Sequence, residues 1–223
     1  MSIFNGRNTM TANNAGSAKS RCPFCFQKME FLPDEMFIIC PVCNKALRNP
    51  KKSLECGSPE VIEICRELVD LMVRQFGDDT RRINHALNVL YYAEQISVNM
   101  KVDHLVVGAA ATLHDIGIQE AERKHGSSAG NYQELEGPPI ARRIMQSVNI
   151  TPEMIEHVCR IVGSHHSARD IDTPEFRVVW DADWLVNIPE EFPGYSREKL
   201  ADLVDKVFKT ESGRKLAENL FLI

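Results

Sequence analysis

The sequence contains no apolar run approaching the length of a membrane span. Its first residues, MSIFNGRNTMTANNAGSAKSR, lack the apolar centre of a secretory signal. Both absences point to a cytoplasmic chain, and residues 1–20 read as a disordered polar tail. No internal repeat is evident, and after residue 58 no run of convincing strands occurs. Basic charge is scarce over most of the length. Residues 1–58 hold eight Lys/Arg against four Asp/Glu, a net of +4, so the remainder carries −9 of the total of −5. An acidic main domain excludes wholesale nucleic-acid binding, which needs a basic surface for phosphate contacts. The basic N-terminal segment leaves room for a local contact with nucleic acid or protein. The 223 residues, 43% hydrophobic and 26% charged, suffice for one well-buried domain with a small appendage.

Seven cysteines in a reducing compartment suggest metal binding or buried thiols before disulfides. Four of them form two pairs, Cys22-Pro23-Phe24-Cys25 and Cys40-Pro41-Val42-Cys43, separated by fourteen residues. Two tight turns that each offer two thiolates complete a tetrahedral site, for which zinc is the usual occupant. Four thiolates fill that coordination shell, so the zinc would be structural. A segment this small also needs such a staple to fold. Residues 36–39 read as a short strand between the turns. The pattern resembles a zinc ribbon over residues 21–50, followed by a linker at 51–58. Cys65 and Cys159 fall in helical patterns as small apolar residues, and Cys56 lies in the linker.

Residues 59–223 read as an all-α domain. Ser58 before Pro59 is a helix N-cap, apolar residues recur at three and four through Val73, and Gly77 ends the helix. A second helix starts near Asp79 and carries His85. Asp103 caps a third, rich in small apolar residues, that ends at His114-Asp115 with Gly117 as its stop. Residues 119–137 read as a polar loop or lid, with Pro138-Pro139 opening the next helix. Further helices are expected from Thr151 to Gly163, from about Pro174 past Leu185, and around 196–209 and 212–221.

Across these helices runs an ordered series of metal-ligand types: His85, His114-Asp115, His165-His166 and an aspartate in WDADWL. An adjacent imidazole and carboxylate, joined by a distant His and a distant Asp, can close on one divalent cation. Such a cation turns water into a nucleophile near neutral pH. The donors suit Mn, Fe, Co, Ni, Zn or Mg without choosing among them. Asp181 and Asp183 are about 200° apart on a helix, so only one should face the site.

His85 in RINHALNVL, LHDIG, GSHH and DADWL stand in the order of the HD-domain superfamily of metal-dependent phosphohydrolases, which residues 60–220 resemble. The resemblance implies an HD-type helical bundle and makes His85, His114, Asp115 and Asp183 the ligands of a first metal. It offers His165, His166 or Glu136 to a second, and assigns catalytic roles to Asp115, to His165 or His166 as proton donor, and to Arg82 as the cation facing phosphate. Arg81 and Lys124 are alternatives for that cation, since Ile118 stands where many members have Lys. His125 is a weaker candidate than Glu136 for the second-metal ligand that usually lies in this interval. The Gly-Tyr-Pro element of the cyclic-dinucleotide branch is missing.

The implied substrate is a nucleotide or other small phosphate ester. The alternatives are a sensor or adaptor that uses the ribbon to bind protein or nucleic acid, and an HD-type di-iron oxygenase. His104, His157 and Trp184 read as ordinary packing or surface residues.

Overall fold

In the computed structural model the residues described are 18–21, 25–32, 37–42, 46–49 and 57–222. The chain divides into two compact units, Met1–Ser53 and Leu54–Ile223. The described residues of the first form two antiparallel strand pairs. Strand β1 (Ala18–Arg21) pairs with β2 (Lys28–Phe31), and β3 (Phe37–Ile39) pairs with β4 (Ala46–Arg48). Residues 18–20, expected in the tail, belong to β1. Their pairing with Met29, Glu30 and Phe31 orders a polar stretch that has no hydrophobic pattern of its own. Met29, Phe31 and Cys40 form a small buried cluster with Cys25 and Ile38 against it.

The second unit is helical: α1 (Pro59–Phe76), α2 (Thr80–Ser97), α3 (His104–Leu113), α4 (Ile118–His125), α5 (Gly130–Met145), α6 (Pro152–Val162), α7 (Pro174–Glu191), α8 (Arg197–Val207) and α9 (Glu211–Phe221). The expected starts are capped by side chains: Ser58 accepts from the amide of Val61, Asp103 from those of Leu105 and Val106, and Thr151 from that of Met154. Helix α3 is the hub, packed by α1, α2, α6 and α7, with every residue from Leu105 to Leu113 buried. Small residues allow the close approach. A Cβ on Gly108 would lie 2.5 Å from the sulfur of Cys65 on α1.

The expected loop at 119–137 is instead α4, a four-residue turn and the first half of α5. The buried positions of α5 are Gln133, Glu136, Gly137, Ile140, Ala141, Ile144 and Met145, spaced at three and four as in any amphipathic helix. The first two are polar, so the hydrophobic period vanishes just where the helix begins. Pro138 and Pro139 lie inside it rather than at its start. Contact of Gly137 with the Gly117 turn, and of Pro138 with the α6 end at Gly163, supplies the packing that offsets their missing N–H groups.

Candidate metal centre

The packing of α2 against α7 and α3 brings together side chains up to 98 residues apart. His85 points inward from α2, His114 closes the last turn of α3, and Asp183 comes from α7. Nε2 of His85 lies 3.2 Å from Nε2 of His114 and 3.1 Å from Oδ1 of Asp183. These three can hold one metal ion. Asp115, His165 and His166 form a second such group among the described residues. Asp115 stands between the two. Its Oδ2 is 3.6 Å from His85 Nε2 and 3.5 Å from His114 Nε2, while Oδ1 is 3.4 Å from His165 Nε2.

Two backbone contacts fix the histidine tautomers. His114 Nδ1–H donates to the carbonyl of Ala111 at 2.9 Å, and His165 Nδ1–H to that of Val162 at 2.7 Å. Each ring, when neutral, therefore presents its Nε2 lone pair to the interior, the orientation that metal-bound histidines acquire from such partners. Nε2 of His165 is buried and makes no hydrogen bond. Lone pairs and carboxylates converging with so few protons between them fit a divalent cation.

Electrostatics bind the group together. Burial opposes ionisation of Asp115 and Asp183, but the surrounding imidazoles outweigh it and hold both carboxyls below their ordinary range. Burial also works against charge on His85. The hydrogen bond to Asp183 and the nearby Asp115 prevail and raise its pKa to about 9. Burial lowers that of His114. The desolvating surroundings of His166, then the charge of His165, hold it down to about 4.

The group lies in a cleft of about 560 Å³. Arg82 lines it, but its guanidinium donates to Asp79 at 2.7 Å and to Glu122 on α4 at 2.6 Å. These two carboxylates make Arg82 a tether between α2 and α4 at the edge of the cleft. Arg81 lies on the rim, 87% exposed and loosely paired with Glu190 at 3.6 Å. Glu136 also has partners of its own. It sits in mid-α5, accepts from Lys124 Nζ at 2.7 Å and from His125 Nε2 at 3.0 Å, and belongs to neither ligand group. Lys124 is thereby engaged too.

Asp181 turns away from the centre. It accepts from the amides of Lys209 and Thr210 and from the Thr210 hydroxyl, fastening α9 to α7. His157 bonds Thr173, and Trp184 stacks on Phe192, both away from the ligand groups. Residues that sequence reasoning did not reach also line the cleft: Ser128, Gln133, Asn187, Glu190 and Glu191. Neutral amides give no ligand signature, and the two glutamates follow a proline late in α7.

In the N-terminal unit, the sulfurs of Cys25 and Cys40 are 3.5 Å apart. Two thiolates on a tetrahedral zinc with bonds of about 2.3 Å would be separated by ~3.8 Å, so this pair fits. Cys22 and Cys43 lie outside the described residues, as does Cys56. Cys65 and Cys159 are buried within the helical unit.

Residues 82–188 match the family model of the HD domain. A similar solved structure is that of a predicted HD superfamily hydrolase from an uncultured Thermotogales bacterium. It is 25% identical, with a TM-score of 0.50, over 69% of this chain and 83% of that one. No curated protein matches the chain.

Proposed function

From the match of residues 82–188 to the HD-domain family model, we propose that the chain is a metal-dependent phosphohydrolase acting on a nucleotide or other small phosphate ester. The observation that carries this reading is the convergence of His85, His114 and Asp183, with Asp115 turned between them and a second group, at a cleft of about 560 Å³. That volume is within the usual range for a small-molecule site. The likeness to a protein described as an HD superfamily hydrolase supports hydrolysis.

A divalent cation held by His85, His114, Asp115 and Asp183 would supply Lewis acidity, bringing the pKa of water to about 7 and drawing charge from the phosphoryl group. The chain's own residues set the stage. His114 and His165 keep their Nδ1 protons on backbone carbonyls and offer bare Nε2 atoms. Its desolvating surroundings and the charge of His165 hold the pKa of His166 down to about 4, so a neutral ring is available there as a ligand or base. Arg82 holds the cleft wall between Asp79 and Glu122, and Arg81 is the rim cation able to turn toward an incoming phosphate. Metal analysis followed by a phosphate-release screen tests the reading. Asp115→Ala should abolish release without loss of helicity, and unchanged turnover in that variant would refute the assignment.

The four cysteines Cys22, Cys25, Cys40 and Cys43 are proposed to hold a structural zinc, with the ribbon contacting protein or nucleic acid. One zinc per chain, lost in Cys25→Ser/Cys40→Ser, is the expected result. Zinc content unchanged by that double substitution would exclude the site. No helix among the described residues is long and apolar enough to cross a membrane.

A further inference from the structure

We infer that Gln133 is an oxygen donor to a second cation held with Asp115, His165 and His166. The inference rests on the reading of this cleft as a divalent-metal site and adds a ligand that no His, Asp, Glu or Cys pattern signals.

Gln133 is 6% exposed and lines the cleft together with Asp115 and His166. Its Nε2–H donates to the carbonyl of Ser128 at 2.7 Å, which fixes the amide and turns Oε1 the other way. That Oε1 is buried and has no hydrogen-bond partner. Buried acceptors are nearly always satisfied, so an orphaned one on a residue that lines this cleft calls for a donor or a cation. Nε2 of His165, which also faces Asp115, is the other orphaned atom of this region. Its ring proton is committed to Val162. An amide oxygen and an imidazole lone pair are both Lewis bases. A single proton between groups of this kind satisfies only one, whereas a cation satisfies both and the Asp115 carboxylate with them.

The backbone places the start of α5, which carries Gln133, beside the turns of Asp115 and His166. A Cβ on Gly117, two residues beyond Asp115, would meet the carbonyl of Gln133 at 2.7 Å. One turn earlier in α5, a Cβ on Gly130 would meet the ring of His166 at 2.7 Å. Glu134 accepts from the amides of His166 and Ser167 at 3.0 and 2.7 Å, locking α5 to the double-histidine turn. The first turn of α5 is thus wedged against the Asp115 turn on one side and His166 on the other.

One shared carboxylate, two imidazoles and a neutral amide form a mixed nitrogen and oxygen shell suited to Mn, Fe, Co or Zn. With less negative charge than the first site, it should bind more weakly. The test is a titration of the full chain with Mn2+ alone, followed by calorimetry and electron paramagnetic resonance. The wild type is expected to bind two ions at the HD centre, one more weakly, with a spin-coupled signal. Gln133→Leu should weaken the second ion by roughly tenfold or more and lose the coupling, leaving the tighter ion unchanged. Gln133→Glu, which restores an oxygen and adds charge, should bind the second ion at least as tightly as the wild type. It also carries the test if Gln133→Leu does not fold. Wild-type affinities in Gln133→Leu, weaker second-ion binding in Gln133→Glu than in wild type, or a single ion in the wild type would each overturn the inference. All three leave the phosphohydrolase reading to be judged separately by phosphate release from the wild type.

Discussion

Replacing Asp181 by alanine should unfold the chain more easily while leaving the metal centre intact, whereas the same change at Asp183 should do the reverse. The two carboxylates are two residues apart on α7, and the structure gives them opposite tasks. Asp181 is fully buried. Its Oδ1 accepts from the amide of Lys209 at 2.7 Å, and its Oδ2 accepts from the amide and hydroxyl of Thr210 at 2.8 and 2.7 Å. Alanine there strands two amides and a hydroxyl at the start of α9. Orphaned buried groups cost about 1–3 kcal/mol each, and part of this is returned because a desolvated carboxylate is no longer buried. The net loss should be about 2–4 kcal/mol. Urea denaturation followed by far-ultraviolet circular dichroism reads it as a lower midpoint at unchanged slope, and calorimetric titration reads metal affinity. A stability within about 0.5 kcal/mol of wild type, the range of an ordinary surface change, would refute the anchoring role. Loss of the tight metal ion in folded Asp181→Ala would refute the division of labour.

Burial raises the pKa of Asp181 from 3.8 to about 6 against the hydrogen bonds that lower it. A carboxyl raised in the fold contributes stability that is full below its unfolded pKa and lost as pH rises through the folded value. The wild type should therefore lose about 1–3 kcal/mol relative to Asp181→Asn between pH 3.8 and about 6, and a pH-independent difference in urea midpoints would contradict this. Metal binding carries the opposite sign. His85 must be neutral to ligate, and its pKa is raised to about 9, so affinity for Mn2+ should strengthen with pH by up to about tenfold per unit until that value is reached. A flat calorimetric profile from pH 6 to 9 would exclude His85 as a ligand. Gly117→Ala places a Cβ 2.5 Å from the amide nitrogen of Gly137 and should cost about 1–3 kcal/mol through displacement of α5. An unchanged melting temperature would show that the contact yields freely.

The helices with side-chain caps and an apolar stripe, α1, α3 and α6, were legible in the sequence because each carries both a start signal and a hydrophobic period. Helix α4 and the first half of α5 were not, because their buried face includes Gln133 and Glu136 and because two prolines imitate a helix start. His85, His114, Asp115 and Asp183 do meet, and His165 joins them. Their residue types advertise a shared chemistry even across 98 positions. The partners of Arg82 and Glu136 were not legible for one physical reason. Charge in a sequence does not reveal its partner, and Glu122, Asp79, Lys124 and His125 had already claimed them. Gln133 escaped notice because an amide becomes a ligand only through where it is buried.

The most direct test of the central claim is inorganic phosphate release from a panel of nucleotides and small phosphate esters, by protein stripped of metal and then restored with Mn2+. Release that appears with the metal, disappears with chelator and is absent in both Asp115→Ala and Asp183→Ala is the predicted result. Turnover that persists in the stripped protein, or in either variant, would contradict it.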